Sequence, residues 1–483
     1  MTIMGIVHCV YIGLFLVFCL NGIQLQSVTI DVHNSGVAQQ IDSRYIGVTL
    51  DSYELRNHFK PLNFNSQRLL TLARGLTPCY LRLGGTDADY VVFNKNSHVG
   101  RDVDKRFILN ANKYTFGTSD WDRVNGFVKN AGLDFIFDLN LSLRKNGRWD
   151  PTNAKELFQY SIQKGYRFAG IELGNEMEYN KDTHVTAQQS AQDFVTLKQV
   201  INSMPGLSHP KIYGPAVAGI FYQSFTYAED FLKAGGANNV DVLTYHHYYT
   251  SGPKATVEMY HDHKVLDTLK AGLTSVMNAR NKYAHGKTVW LGETSAAYSS
   301  AAGDLNRLYV ASFPWLDKLG VAALYGVKGL MRQALYAGLV DEHTNPRNDY
   351  WVTRMYKQLV GDRVFKLNGS PNVNLRYYAH CTRYPSPLGY AKGSVTVYLM
   401  NLGSSAITVN INGASNQHLY MLSPGDNNGL RSAYIKLNGN VLRMTSDSYI
   451  PQFTHVQHRG SVRVEGYNMG FIVLTDIRKV ECL

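Results

Sequence analysis

From Tyr45 onward the chain repeats one pattern: a short run of apolar, β-prone residues, a polar turn, then a longer stretch with apolar residues at helical spacing. The candidate strands are 45–50, 79–83, 134–139, 169–173, 211–213, 242–245, 288–291 and 322–327. Helical periodicity lies between them, for example at 154–164, 191–201 and 265–279. Eight strands alternating with helices over about 300 residues predict an α/β chain folded as a (β/α)8 TIM barrel. The competing doubly wound sheet is disfavoured because no glycine-rich phosphate fingerprint follows the first strand. After 351–360 the pattern changes to short alternating segments, such as 394–400, 406–411 and 470–475, separated by Gly, Asn, Ser and Pro. That reads as an antiparallel β-sandwich. The alternating stretch 28–32 is a candidate to lend it one strand. The expected organisation is therefore a signal peptide (1–26), a strand joining the sandwich (27–44), the catalytic barrel (45–355) and the C-terminal sandwich (356–483).

Composition narrows the class. A chain of 483 residues with 45% hydrophobic and 18% charged residues is globular, long enough for a barrel with a smaller partner. Residues 1–26 hold no charged side chain, and their apolar run 10–20 suits a signal core but is short for a membrane span of roughly 20 residues. No later segment is apolar enough to span a bilayer, so a secreted or lysosomal protein is expected. Without the signal, Cys79, Cys381 and Cys482 remain, an odd number. Cys381 and Cys482 bracket the C-terminal region and are the expected disulfide in an oxidising compartment; Cys79, inside an apolar strand, is expected as a buried free thiol. Sequons stand at Asn140-Leu141-Ser142 and Asn368-Gly369-Ser370, the first closing a barrel strand and the second followed by Pro371. A formal charge of +11 favours polyanionic partners. No nucleic-acid motif accompanies it, which leaves an acidic polysaccharide as the expected partner.

Two stretches share a design that can carry chemistry: Ile171-Glu172-Leu173-Gly174-Asn175-Glu176 and Thr288-Val289-Trp290-Leu291-Gly292-Glu293-Thr294. In a barrel, Glu176 ends strand four and Glu293 ends strand seven, at the rim where such folds place their chemistry. Two carboxyls there can flank a glycosidic bond, one protonating the leaving oxygen and the other attacking the anomeric carbon. A negative Glu293 would raise the pKa of the acid/base and set a mildly acidic optimum. His246-His247 with His261-Asp262-His263 does not have zinc spacing, since adjacent strand residues face opposite ways. One of the pair is expected to hydrogen-bond at the cleft while the other packs, and His246 is the candidate for the cleft. Asp349 is expected at the surface. Neither metal nor cofactor is implied.

The chain resembles the heparanase-type endo-β-glucuronidase family, which includes related invertebrate hyaluronidases. The resemblance rests on Tyr80-Leu81-Arg82-Leu83-Gly84-Gly85-Thr86, Glu172-Leu173-Gly174-Asn175-Glu176, Tyr245-His246-His247-Tyr248-Tyr249, Trp290-Leu291-Gly292-Glu293-Thr294-Ser295, Trp315-Leu316-Asp317-Lys318-Leu319-Gly320 and Met331-Arg332-Gln333, all in order. It implies Glu176 as acid/base and Glu293 as nucleophile, with substrate contacts from Asp51, Thr86, Asn175, Tyr248 and Gln333. Cys381 and Cys482 match the family's C-terminal disulfide. Several positions depart from the family pattern. Ser299-Ser300 stand where the family has Gly-Gly for uronate binding, and the 333–340 segment is shortened, leaving Tyr336 as a possible replacement for a lost tyrosine. Residues 216–222 are uncharged where the family is basic, and Met177 replaces proline. No long linker separates Phe93 from Phe116, so a single-chain monomer without linker excision is expected. Lys105, Arg106 and Lys113 fall in the family's heparin-binding region. The expected activity is retaining endo-β-glucuronidase action on heparan sulfate first and hyaluronan close behind. An exo-β-glucuronidase and a catalytically silent glycosaminoglycan binder are the alternatives.

Overall fold

Eight parallel strands close on themselves in chain order: Ile46–Asp51, Tyr80–Gly84, Asp134–Leu139, Gly170–Leu173, Lys211–Val217, Val242–His247, Thr288–Thr294 and Gly329–Arg332, the last pairing back to the first. The computed structural model describes residues 26–96, 114–299 and 302–483. All but the last residue of the expected signal segment, and Lys105, Arg106 and Lys113, lie outside them. Among the described residues no helix is long and apolar enough to cross a membrane.

Helices follow the strands and cover the barrel. The one after strand four, Ala187–Asn202, begins with a capping box: Gln189 N–H donates to Thr186 Oγ1 at 3.2 Å, and Thr186 N–H donates to Gln189 Oε1 at 2.9 Å. The barrel floor is plugged by Tyr80, Ile136, Tyr213, Val242, Trp290 and Met331. Two strand glycines make room for the rings. A Cβ at Gly170 would lie 2.2 Å from the Tyr213 ring, and one at Gly329 would lie 2.4 Å from Trp290. Above this apolar floor the interior turns polar.

One strand was misplaced by the periodicity. The eighth strand is Gly329–Arg332; residues 322–324 end the helix Ser312–Leu324 instead. That helix is buried at every position from Ser312 to Ala323. A helix buried all round loses its polar stripe, so its apolar run looks like a strand. Strands five, six and seven run past the expected ends, to Val217, His247 and Thr294. Strands six and seven read short because His246-His247 and Glu293-Thr294 put polar side chains into the upper barrel, and strand five because Gly214-Pro215 reads as a break.

Apart from three two-stranded ribbons in the barrel loops, the remaining described strands form two facing sheets. Nine strands make the larger, running from Val37–Gln40 through Val360–Phe365, Leu375–Thr382, Val395–Asn401, Met469–Leu474 and Gln417–Pro424 to short edge strands. The smaller sheet has Gln26–Asp31 between Asn368–Gly369 and Ile407–Asn412, with Val462–Val464 beyond. Gln26–Asp31 is parallel to Ile407–Asn412 through all six residues. Val28, Ile30, Val397, Val409, Ile472 and their neighbours fill the space between the sheets. Cys381 and Cys482 are bonded, and Cys79 is a buried free thiol.

Barrel and sandwich meet through a buried acid. Asp317 on the helix after strand seven accepts from Arg376 Nε at 2.9 Å and from the Tyr378 hydroxyl at 2.5 Å, both on the strand Leu375–Thr382. Gly320, one turn on, lets the Tyr378 ring lie flat, since a Cβ there would come within 2.3 Å of it. Gly320→Ala is expected to cost about 1–3 kcal/mol of stability by overpacking. Chemical denaturation monitored by tryptophan fluorescence measures this, and an unchanged midpoint would contradict the tight fit.

Candidate active site

Strand four ends in a sharp turn. Gly174 has φ 80° and Glu176 has φ 53°, both left-handed. At Gly174 only glycine fits, because a Cβ would lie 2.8 Å from Leu141. The turn is clamped from two sides. Asp89 accepts from Asn175 N–H and Leu141 N–H, each at 2.9 Å, while Glu176 N–H donates to Ala216 O at 2.9 Å. Burial pushes the Asp89 carboxyl up to about 7, against the pull of those backbone donors. Glu176 therefore leaves the strand end with its backbone fixed.

Strands six and seven bring the partners. His246 Nδ1 lies 2.6 Å from Glu176 Oε1, and the Tyr248 hydroxyl donates to Glu293 Oε1 at 2.6 Å. One ligand atom each from Glu176, His246 and Glu293 lie within 4.8 Å of one another. Those three groups have the donor types of a metal site. However, both Glu293 oxygens already accept hydrogen bonds, from Tyr248 and from the Arg82 guanidinium. A guanidinium bonded directly to one member opposes a second cation.

Arg82 is the hub beneath the pair. Almost wholly buried, it donates from Nε to Glu172 at 2.5 Å, from Nη1 to Glu293 at 2.9 Å and from Nη2 to Asn175 Oδ1 at 2.8 Å. Asp138 lies 3.6 Å away. Burial disfavours the guanidinium charge, but Glu172, Glu293 and Asp138 more than offset it and raise the pKa above its ordinary value. For Glu293, burial pulls the pKa up, while His246, Arg82 and Tyr248 together win and hold it below the ordinary range. His246 is shifted upward; burial opposes this, and Glu293 and Glu176 overcome it. The site thus holds Glu293 as an anion and favours a protonated His246. Burial and the charge of Glu172 push Asp138 well up.

A second group of residues lies at the end of strand one. Gln333 Nε2 donates to Asp51 Oδ2 at 2.8 Å, and Thr49 Oγ1 donates to Gln333 Oε1. Asp51 also caps the following turn, accepting from Tyr53 N–H at 2.9 Å. Burial, with the charge of Glu293 next, raises its carboxyl to about 6. Thr86 is exposed at the start of the turn after strand two.

Buried basic side chains brace these strand ends from behind. Lys318 Nζ donates to Thr294 Oγ1 at 2.6 Å, Ser295 O at 2.7 Å and His247 O at 3.1 Å, and burial drives its pKa well down. His247 faces away from His246, with both ring nitrogens buried and without partners and its ring edge-on to Tyr249. Asp349 is not a surface residue: it is buried, accepting from Arg332 Nη2 at 2.6 Å and from Ser312 Oγ at 2.8 Å. The polar character that suggested exposure serves instead to neutralise Arg332 on strand eight.

The structure thus gathers Glu176, Glu293, Asn175, His246, Tyr248, Asp51 and Gln333 around one cleft. Ser299 is exposed with φ 60°, left-handed where glycine would be at ease; Ser300 is outside the described residues. Tyr336 is buried in the loop after strand eight. Asn140 of the first sequon is buried and donates to Val91 O at 3.1 Å, whereas Asn368 is exposed. Arg82, Asp89, Asp138, Glu172 and Lys318 had not been given roles. A signal for three of them was present: Leu81-Arg82-Leu83, Phe137-Asp138-Leu139 and Ile171-Glu172-Leu173 each set one charge inside a buried strand. Such charges are costly unless paired with one another.

Barrel and paired strand-end carboxylates together define a class, the glycoside hydrolases. The model of glycosyl hydrolase family 79, N-terminal domain, matches residues 27–320, and the chain belongs to that family. Heparanase of Mus musculus is 31% identical, covering 94% of this chain and 94% of its own. Hyaluronoglucuronidase of Hirudo nipponia is 29% identical, covering 95% of this chain and 100% of its own. Among solved structures, a 4-O-α-L-rhamnosyl-β-D-glucuronidase from Fusarium oxysporum 12S superposes with a TM-score of 0.66 at 16% identity, covering 92% of this chain and 100% of that one. At that identity the likeness is one of fold.

Arg82→Met leaves Glu172 and Glu293 without their buried counter-charge. A loss of about 3–5 kcal/mol in unfolding free energy is expected. Urea denaturation checks it, and a midpoint equal to wild type would remove Arg82 from its central place.

Proposed function

We propose that the protein is a retaining endo-β-glucuronidase, with Glu176 as acid/base and Glu293 as nucleophile, acting on a glycosaminoglycan. The observation that carries this reading is the closeness of the two carboxylates. Retaining glycosidases set their carboxyls about 5–5.5 Å apart, whereas inverting ones leave roughly 6.5–9.5 Å for a water. Oxygens of Glu176 and Glu293 within 4.8 Å of each other belong with the first arrangement. The names of the relatives, heparanase and hyaluronoglucuronidase, supply the two candidate polymers.

The roles follow from the electrostatics. Glu293, ionised and aimed by Arg82 and Tyr248, attacks the anomeric carbon as Glu176 protonates the leaving oxygen. When the glycosyl ester forms, the Glu293 charge disappears. Arg82 still has Glu172 bonded to it, so the guanidinium is not stranded. Glu176 then takes a proton from water, which attacks the same carbon and restores the starting configuration. His246 holds Glu176 in place through both steps. Asp51 and Gln333 form a polar wall for sugar hydroxyls, and a neutral Asp51 does not repel a uronate carboxylate.

Two outcomes are expected. Incubated separately with hyaluronan and heparan sulfate, wild type shortens chains from within, and the first product seen by proton NMR is the β-anomer. Glu293→Gln lowers turnover roughly 10⁴-fold or more while polymer still binds. A first product of α configuration, or equal product release by wild type and variant, would sink the reading. The second outcome concerns pH. Asp51 is neutral below about 6 and negative above it. An anionic substrate is therefore repelled at higher pH, and kcat/KM is expected to fall as pH rises through about 6. The acid limb lies below the ordinary carboxylate range, where Glu293 takes up a proton. Asp51→Asn removes the titrating charge, so the alkaline limb of its pH–rate profile should move upward; an unmoved limb argues against Asp51.

A further inference from the structure

Beside the proposed acid/base, the loop from strand five into the helix Tyr222–Lys233 presents two aromatic rings. Phe221 is about one-third exposed and Tyr222 is 91% exposed, with ring centroids 6.3 Å apart. The loop is laced to the segment that carries Glu176. Glu176 N–H donates to Ala216 O at 2.9 Å, Ala218 N–H to Glu178 Oε1 at 2.7 Å and Gln223 Nε2 to Glu178 O at 2.9 Å. It is also supported from behind. On the helix His263–Tyr283, a Cβ at Gly272 would come within 2.3 Å of Ile220 and 2.7 Å of the Phe221 ring, so the missing side chain is the seat of this loop. Tyr222 itself has φ 50°, a left-handed backbone that is uncommon for a bulky residue. A ring this exposed adds little packing to the fold, and its backbone is strained to present it. Such strain collects at functional sites.

We propose that Phe221 and Tyr222 form an aromatic platform on the leaving-group side of the cleft that stacks the pyranose ring of an unsulfated N-acetylhexosamine. This rests on the glucuronidase reading above. Glu176 donates its proton to the leaving oxygen, so a loop bonded to its turn borders the sugar that departs. The flat faces of aromatic rings match the C–H face of a pyranose. A sulfated sugar would need a cation, and neither segment 214–232 nor the turn 176–180 contains Lys, Arg or His. The platform places the unsulfated polymer ahead of heparan sulfate, reversing the order expected from the sequence.

The test reads binding apart from turnover. On a Glu293→Gln background, isothermal calorimetry compares an unsulfated glucuronate–N-acetylglucosamine hexasaccharide with its N-sulfated counterpart. The unsulfated one is expected to bind more tightly. Tyr222→Gly, whose glycine suits the left-handed backbone, is expected to weaken it about tenfold, the order of one aromatic stacking contact, and Tyr222→Trp to restore it. In the active enzyme Tyr222→Gly should raise KM for the unsulfated polymer about tenfold with kcat changed less than about threefold. Equal binding by Tyr222→Gly and its parent, or tighter binding of the N-sulfated sugar, overturns the platform. If wild type cleaves no polymer but binding through Tyr222 persists, the glucuronidase reading falls and the platform stands. If cleavage is seen and Tyr222 has no effect, the reverse holds.

Discussion

Arg82 lies in the middle of the barrel with no solvent, and the geometry above and around it follows from how its charge is met. Moving an ion of that size out of water costs several kcal/mol even after relaxation, and the cost is recovered only with near-ideal partners. Here the partners come from three strands: Glu172 and Glu293 by charge, Asp138 beside them, and Asn175, at the end of the same strand as Glu172, by its amide oxygen. A one-residue slip of any of those strands would turn its partner to the outside face. The same cation therefore fixes strand register and, with His246 and Tyr248, keeps Glu293 ionised. Stability and reactivity are coupled through one side chain.

The surrounding polar groups extend that logic to the strand ends. Asp89 holds the backbone of the strand-four turn, Lys318 ties strands six and seven through His247 O, Thr294 and Ser295 O, and the Arg332–Asp349 pair binds strand eight to the following helix. None of these groups touches the cleft carboxylates directly. Each removes freedom from a segment that does. In the proposed mechanism a proton donor and a nucleophile must be held to a fraction of an ångström, and buried polar and ionisable groups supply that rigidity where an apolar core gives way to a polar cleft.

How much of this could be read in the chain depends on whether the cause was local. Gly174-Asn175-Glu176 and Gly292-Glu293 were legible because a β-prone run ending in glycine and an acid is a local signature of a strand tip. The strand Asp134–Leu139 was placed to the residue for the same reason. Segment 322–327 was misread because a helix sunk on all sides shows no polar stripe. The ends of strands six and seven were cut short because the site lining is polar while remaining strand, and that of strand five because Gly214-Pro215 reads as a break. The role of Arg82 was hidden for a different reason: its partners lie 56, 90 and 211 residues away in sequence, and no window spans them. Asp349 was assigned to the surface on residue type alone, a rule that fails wherever a buried cation needs an acid.

The pairing of Gln26–Asp31 with Ile407–Asn412 has a consequence for synthesis. The first of these strands finds its neighbour only after some 380 further residues have been added. Val37–Gln40, next to Val360–Phe365, waits almost as long. Such non-local pairing is slow to form and leaves strand edges unpaired meanwhile. The barrel, whose strands pair with near neighbours until the eighth closes on the first, can assemble on the ribosome ahead of the sandwich. Through that interval the edges of Gln26–Asp31 stay open to pairing with other chains, a hazard that ends only when the sandwich closes.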